Sequence, residues 1–581
     1  MKNFKLFVCL LLMVGLIASC APAAEAPAPE APAQEQAPAQ EEAPAQEEAP
    51  AEEAAPVDED AYKYGGSLTF GIETEPPGFN PIQHDSWYEI WIYGTSNEPL
   101  THGGENFGTE WRPILAESWE TSEDGLVWTV HLRKGVTWQD GVPFTSDDVI
   151  FWAEAVQSPD TVDVDWVDYR FMLGDIPHKF EKIDDHTITI TTAEPVPNLM
   201  ADICVPVIPK HYFVDNDISF AEMDKSKFNT DDELLGTGPF RIVEYRRGEA
   251  VIMEKYKDYW GGEPYLDQII YRIVPDRQSL ITAVQTGEVD YITLDPAEVD
   301  QLANATNVQI YQYEGDGVYH FRLNTKKPHL ADNRTRQALL YALDQEAFVE
   351  TLLLGYGRPA DTTWSPYVTA YRPMDKQYPY DPEKAKELLA EVGWVPGPDG
   401  ILVAETVEGV EPGTKFTLYL EVYSESRMQP SLLAQSYWKA VGIDAQLRQR
   451  DRNVFVEANY GVPATERDFD AFWTMIGSAG PNGTAYNWLM ANPTEDDSIM
   501  GYVNDEVTVL FNKAKTTADP TLRDEYLDQA AQIIWEELPF INVFYFESLY
   551  AINKRVHFDE GNLDPTMWVQ FVDFSKVWVD H

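Results

Sequence analysis

Residues 114–151 read ILAESWETSEDGLVWTVHLRKGVTWQDGVPFTSDDVIF. Within this stretch VWTVHL, 127–132, alternates apolar and polar side chains, the period of a half-buried strand. Thr145 then stands where a helix N-cap belongs, with Asp148 three residues on in a capping-box position, so a helix is expected over 146–157. The same signals recur outward in both directions. SLTFGI at 67–72 and TITIT at 187–191 read as strands, and FTLYLEV at 416–422 places Phe416, Leu418, Leu420 and Val422 on one face. Asp381-Pro382 opens a helix that Gly393 stops, and Asp519-Pro520 opens a longer one to about Glu537. Residues 333–354 are helical by period, with Ala338, Leu339, Ala342 and Leu343 sharing a face. The Pro- and Gly-rich stretch 393–413 reads as a surface hairpin or loop. Strands alternating with helices predict an α/β architecture with largely parallel or mixed sheets.

The N-terminus is of another kind. Lys2 and Lys5 precede the apolar run LFVCLLLMVGLIA, 6–18, too short for a stable membrane span and of the length of a signal-peptide core. The run ends in LIASC, 16–20, which resembles a bacterial lipobox; the resemblance implies cleavage after residue 19 and a lipid on Cys20. The other reading is an ordinary secretory signal. Residues 31–54 then repeat APAQEQ, APAQEE, APAQEE and APAEEA. This repeat has no aromatic or branched aliphatic residue to bury, so 20–60 is expected to be a disordered, charged tether. At full polyproline extension such a tether reaches on the order of 120 Å.

Residues 61–581 are long enough for two or more lobes. They carry 85 acidic against 40 basic residues, which argues against nucleic acid and against a face that lies on anionic lipid. Of three cysteines, Cys9 leaves with the signal and Cys20 would be acylated; Cys204, in ADICVPVI, is expected to be a buried small hydrophobe, with no disulfide in the mature body. No HExxH, G-x-S-x-G or phosphate-loop motif is present, GTGPFR at 236–241 fails the dinucleotide fingerprint, and none of the ten histidines forms a metal-ligand pair. Loop-like aromatics remain: Trp87, Tyr88, Trp91, Trp364, Trp473, Tyr486 and Trp488 are candidates for sugar stacking or side-chain pockets, though most aromatics of such a chain are core.

The stretch 114–151 resembles the signature region of the family 5 extracellular solute-binding proteins, the peptide/nickel-type receptors of ABC importers. YGGSLTFGIETEPPGFNP (64–81), GTGPF (236–240), KDYWGGEPYLDQI (257–269), QTGEVDY (285–291), RQALLYALDQEAF (336–348) and YDPEKAKELLAEVGW (380–394) follow the family pattern in order. The resemblance implies a two-lobe periplasmic-binding-protein-like fold, cluster C and type II, with 61–315 plus 540–581 as lobe I and 316–539 as lobe II. It implies a monomeric, non-enzymatic receptor that closes on a solute and delivers it to a permease and its ATPases. Neither a cofactor nor a metal is expected. Peptide-binding relatives use a lobe II Asp for the ligand ammonium, yet the matching loop 473–488, WTMIGSAGPNGTAYNW, contains no acid. Peptides or peptide-like solutes are the first expectation. Oligosaccharides are the second, because Trp473, Asn482, Tyr486 and Trp488 suit a neutral polyol, and a nickel complex is the third. From a different class, a secreted lipid-anchored hydrolase would be told apart by direct turnover. The expected ligand residues are Phe79, Asn80, Gly238, Asn324, Trp364, Trp473, Ser478, Asn482 and Tyr486. Arg427 is either a partner for a ligand carboxylate or a solvated surface arginine, and Gly238 is also explained by a Gly-Pro turn.

Overall fold

In a computed structural model the chain is described over residues 60–559 and 572–581, apart from 84–86, 104–110, 163, 165–166, 168–169, 174–175, 367, 369, 460–461, 478–493, 495 and 497. An 11-stranded mixed sheet runs through this part. Across the sheet the strands follow the order Phe240–Arg246, Ala250–Lys255, Gln268–Ile273, Ser67–Ile72, Tyr291–Leu294, Phe540–Asn553, Val308–Leu323, Ala471–Gly477, Thr417–Val422 and Asp444–Gln449, with Gly357–Pro359 paired onto Phe540–Asn553. At one end Ser67–Ile72 pairs parallel with Gln268–Ile273 and Tyr291–Leu294. At the other, Thr417–Val422 pairs parallel with Asp444–Gln449 and Ala471–Gly477. The two parallel groups are joined by the long antiparallel pair Val308–Leu323 and Phe540–Asn553.

This pair is where the two cores part. One hydrophobic cluster gathers residues from Val318 to Tyr545, and another gathers Leu68 to Tyr291 with Ile552 to Val579. A third, smaller one packs the helix Arg277–Thr286 beneath Ile292, Leu549 and Ala551. Between the cores the pairing jumps from Glu314↔Glu547 to Val318↔Tyr545, so three residues bulge opposite one. Glycine is required there: a Cβ on Gly315 would lie 2.6 Å from the Phe546 ring, and one on Gly317 would lie 2.9 Å from the Ile476 carbonyl oxygen.

The elements read from 114–151 are present. Val127–Leu132 is a strand, central in a four-stranded antiparallel sheet. Ser146–Gln157 is a helix whose capping box is complete: Thr145 N–H donates to Asp148 Oδ2 at 2.9 Å. Gly393 ends the helix Pro382–Val392 in the left-handed region, and Trp394–Pro396 pairs with Leu402–Ala404 as a hairpin. The period over 333–354 is misleading as a single helix. The chain forms Asn333–Tyr341 and Gln345–Leu352, because Asp344 turns out of the helix and accepts from Ala347 N–H at 3.0 Å.

GTGPF has a structural reason. A Cβ on Gly236 would sit 1.8 Å from the Ser96 carbonyl oxygen, and one on Gly238 would sit 2.8 Å from it. The Gln139 amide then ties the segment down, donating to Gly238 O at 3.0 Å and Phe240 O at 2.8 Å. Close backbone approach therefore explains Gly238 better than a left-handed turn, since its φ is not positive. Among the described residues no helix is long and apolar enough to cross a membrane.

Candidate functional site

In open α/β sheets ligands lie beyond the carboxyl ends of parallel strands. On the first core those ends lead into Glu73 and Asp295. The Tyr88 hydroxyl donates to Glu73 Oε2 at 2.9 Å, and Arg277 Nη1 lies 3.2 Å from the same oxygen. Arg277 also grips Glu298 through Nε (2.6 Å) and Nη2 (2.5 Å) and donates to Thr293 O at 2.7 Å. Burial and the Glu73 charge push the Tyr88 phenol up to about 12, so it stays a donor. Partial burial raises the Asp295 carboxyl; Arg277 opposes the rise, while Glu298 and Glu73 add to it.

On the second core the strand Thr417–Val422 leads into Tyr423, Ser424 and Arg427. The Arg427 guanidinium lies over the Tyr423 ring, 4.0 Å from its centroid, and Nη1 donates to Ser424 Oγ at 2.8 Å. Arg427 Nε is buried with no hydrogen-bond partner among the described residues. Neighbouring Arg448 and Arg450 are taken: both pair with the fully buried Glu421, and both also reach Asp468.

Tyr319 stands on the long strand Val308–Leu323 that joins the two groups. It lies flat on Trp473, with centroids 5.5 Å apart and planes at 12°, and is flanked by Phe544 and Phe546. Burial raises its phenol; the Arg427 charge lowers it and the Asp295 charge raises it.

Of the residues expected from sequence, Trp473 is stacked behind Tyr319 and only 4% exposed, while Arg427 lies over Tyr423. Phe79 is enclosed against Tyr245, and Asn229 Oδ1 accepts from both Phe79 N–H (2.9 Å) and Asn80 N–H (3.0 Å). Asn80 spends its amide on Gln83 Oε1 and Ile82 N–H. Asn324 donates to Phe469 O at 3.1 Å and accepts from Lys326 N–H. Trp364 is fully buried, edge-on to Phe511. Ser478, Asn482, Tyr486 and Cys20 lie outside the described residues, as does the tether. Tyr319, Glu73 and Arg277 were not expected from sequence, whereas Tyr88 stood among the loop-like aromatics; Glu73 follows directly on SLTFGI, the signal that would have found it. No group of three or more His, Cys, Asp or Glu among the described residues is placed to hold a metal ion.

Residues 110–498 match the bacterial extracellular solute-binding proteins, family 5 middle region, and the chain belongs to that family. It is 29% identical to heme-binding protein A of Haemophilus influenzae over 470 residues, 77% of this chain and 81% of that protein. It is 26% identical to the dipeptide-binding protein of Escherichia coli over 514 residues, covering 84% and 91% of the two chains. The structure of the oligopeptide-binding protein AppA of Bacillus subtilis, solved with a nonapeptide, superposes with a TM-score of 0.72 at 25% identity, covering 89% of this chain and 99% of that one. The fold is therefore the two-lobe α/β fold of periplasmic binding proteins, and the family is one of substrate-binding receptors.

Proposed function

We propose that this protein is the lipid-anchored extracytoplasmic receptor of an ABC importer, which captures peptides or peptide-like solutes between its lobes. Lobe I would comprise 61–315 with 540–581 and lobe II 316–539; Cys20 would carry the lipid, and a permease with its ATPases would receive the cargo. The observation that carries the ligand class is Arg427, which lies over the Tyr423 ring and whose buried Nε has no hydrogen-bond partner among the described residues. A planar, always charged guanidinium with a free donor is matched by a carboxylate. Relatives named for dipeptides and oligopeptides support this reading. The mechanism is binding without covalent chemistry: the ligand stabilises the closed lobes in proportion to its preference for them, and the bulge at 315–317 is where the strands would flex.

An oligosaccharide is the second reading, favoured by the absence of any acid in 473–488. Calorimetry with short peptides as free acids and as C-terminal amides separates the two. Peptide acids should bind, and Arg427→Gln should weaken them by about tenfold, ~1.4 kcal/mol, while amides bind the two proteins alike. Equal binding of acids by both proteins would remove the carboxylate contact.

A further inference from the structure

The two parallel strand groups run toward one another, and their register shows where they meet. Leu294 pairs with Leu549, which pairs in turn with Gln312, so Tyr291–Leu294 ends just short of the bulge at 315–317. From the other side Ala471–Gly477 runs against Val308–Leu323 and ends with Gly477 opposite Gly317. Thr417–Val422 is parallel to it and runs the same way. Glu73, which follows Ser67–Ile72, and Arg427, in the turn after Val422, thus stand beyond strands that converge on one joint. Glu73 is clamped from both faces of the sheet. The helix Trp87–Ser96 covers one face, where Trp91 packs near Phe70, and its Tyr88 hydroxyl donates to Glu73 Oε2 at 2.9 Å. The helix Arg277–Thr286 covers the opposite face, beneath Ile292 and Leu549, and Arg277 Nη1 lies 3.2 Å from the same oxygen. Both contacts fall on Oε2. Oε1 has no hydrogen-bond or ion-pair partner among the described residues, and the Glu73 side chain is 35% exposed. Arg277 does not cancel this charge, because it grips Glu298 through two nitrogens, at 2.6 and 2.5 Å. The exposed Asp295, which follows the neighbouring strand, adds a further carboxylate with no ion pair among the described residues. The carboxylates nearer the bulge are engaged: Glu314 accepts from Arg358 Nε at 2.9 Å, and Glu547 accepts from the Gln312 amide.

We propose that Glu73 Oε1 receives the α-ammonium of a bound peptide, in place of the acid that loop 473–488 lacks. The peptide then lies across the bulge with its amino end on the first core and its carboxylate toward Arg427 on the second. An ammonium carries three donors and no acceptor, so it needs what Glu73 offers: a charged oxygen that no other group occupies. Because Oε2 is already held from two sides, little side-chain freedom remains to be lost when the ligand binds. The assignment rests on the peptide reading above but concerns the other end of the ligand, so the two can fail separately.

A cycle that changes ligand and residue together tests it, by calorimetry on the full chain with short peptide acids and their N-acetylated forms. Acetylation should weaken binding about tenfold, and Glu73→Gln should weaken the free peptide by a similar factor. Acetylation should then cost the Glu73→Gln protein less than about threefold, since both changes remove one contact. An equal loss on acetylation in the two proteins would overturn the assignment, and so would equal binding of free and acetylated peptide by the unsubstituted chain. Should Glu73→Gln not fold, zero-length coupling serves the same purpose in the unsubstituted chain. A water-soluble carbodiimide joins the amine of a bound peptide to the carboxylate it touches, as an amide. Mass mapping should place the peptide on Glu73; its placement on Asp295 or another acid, or no adduct at saturating peptide, would overturn the assignment. Sensitivity to acetylation without sensitivity to Arg427→Gln would fail the carboxylate contact alone, and binding of no peptide at all would fail both.

Discussion

Glu98 is closed in by three donors from distant segments: Tyr259 Oη (2.7 Å), Trp260 Nε1 (2.8 Å) and Thr237 Oγ1 (2.9 Å). Burial nevertheless dominates and lifts its carboxyl to about 7, the three hydrogen bonds pulling the other way. The folded state then holds this proton more tightly than the unfolded chain. The stability it contributes is full below the ordinary glutamate range near 4.5 and is lost as pH rises through about 7, amounting to at most about 3 kcal/mol. Glu98→Gln should flatten the stability profile between these pH values, measured by urea unfolding; an unchanged slope would mean that Glu98 is already ionised throughout. Trp473 makes the opposite point. Its sequence context is loop-like, but the ring lies against Phe321, Phe348 and Phe544 as well as Tyr319. Trp473→Ala should therefore cost about 3–5 kcal/mol of stability before any effect on binding is read. Arg427 was legible in two ways, as a carboxylate partner or as a solvated surface arginine, and the structure seats it over Tyr423 with a hydrogen bond to Ser424. The donors of Glu98 were not legible, since they come from residues 139 to 162 positions away.

At the scale of elements, alternation and caps carried the reading. Thr145 with Asp148, Asp381 with Gly393, and Asp519 each mark a helix end that the structure places as expected. The break at Asp344 was hidden because the apolar period continues across it; only the side chain's competition for Ala347 N–H stops the helix. Asp344→Ala should cost about 1 kcal/mol in thermal or urea unfolding, as loss of an N-cap does. The glycines at 236 and 315 were readable as glycine but not as contacts, because their partners, Ser96 and Phe546, are remote in sequence. Gly236→Ala must move the Ser96 backbone, whereas Gly315→Ala meets only the Phe546 ring. The first should be the more destabilising, and equal unfolding midpoints would contradict the close approach at Gly236.

At the scale of the molecule, the two-lobe plan follows from two parallel strand groups held by one long antiparallel pair. Sequence order shows the groups; that Tyr319 stacks on Trp473 between Phe544 and Phe546 is a matter of tertiary placement and had no local signal. The same holds for Phe79, Asn80 and Trp364. Their contexts look like loops, and burial depends on the distant segments that fold over them, such as Asn229 across Phe79. The measurement that tests the account most directly is the thermal shift of the purified chain against separate pools of short peptide acids, peptide amides and short oligosaccharides. A ligand at 100 times its dissociation constant adds about 2.7 kcal/mol of stability. Peptide acids should raise the melting temperature clearly, and Arg427→Gln should abolish the rise. A shift with oligosaccharides alone would contradict the peptide reading.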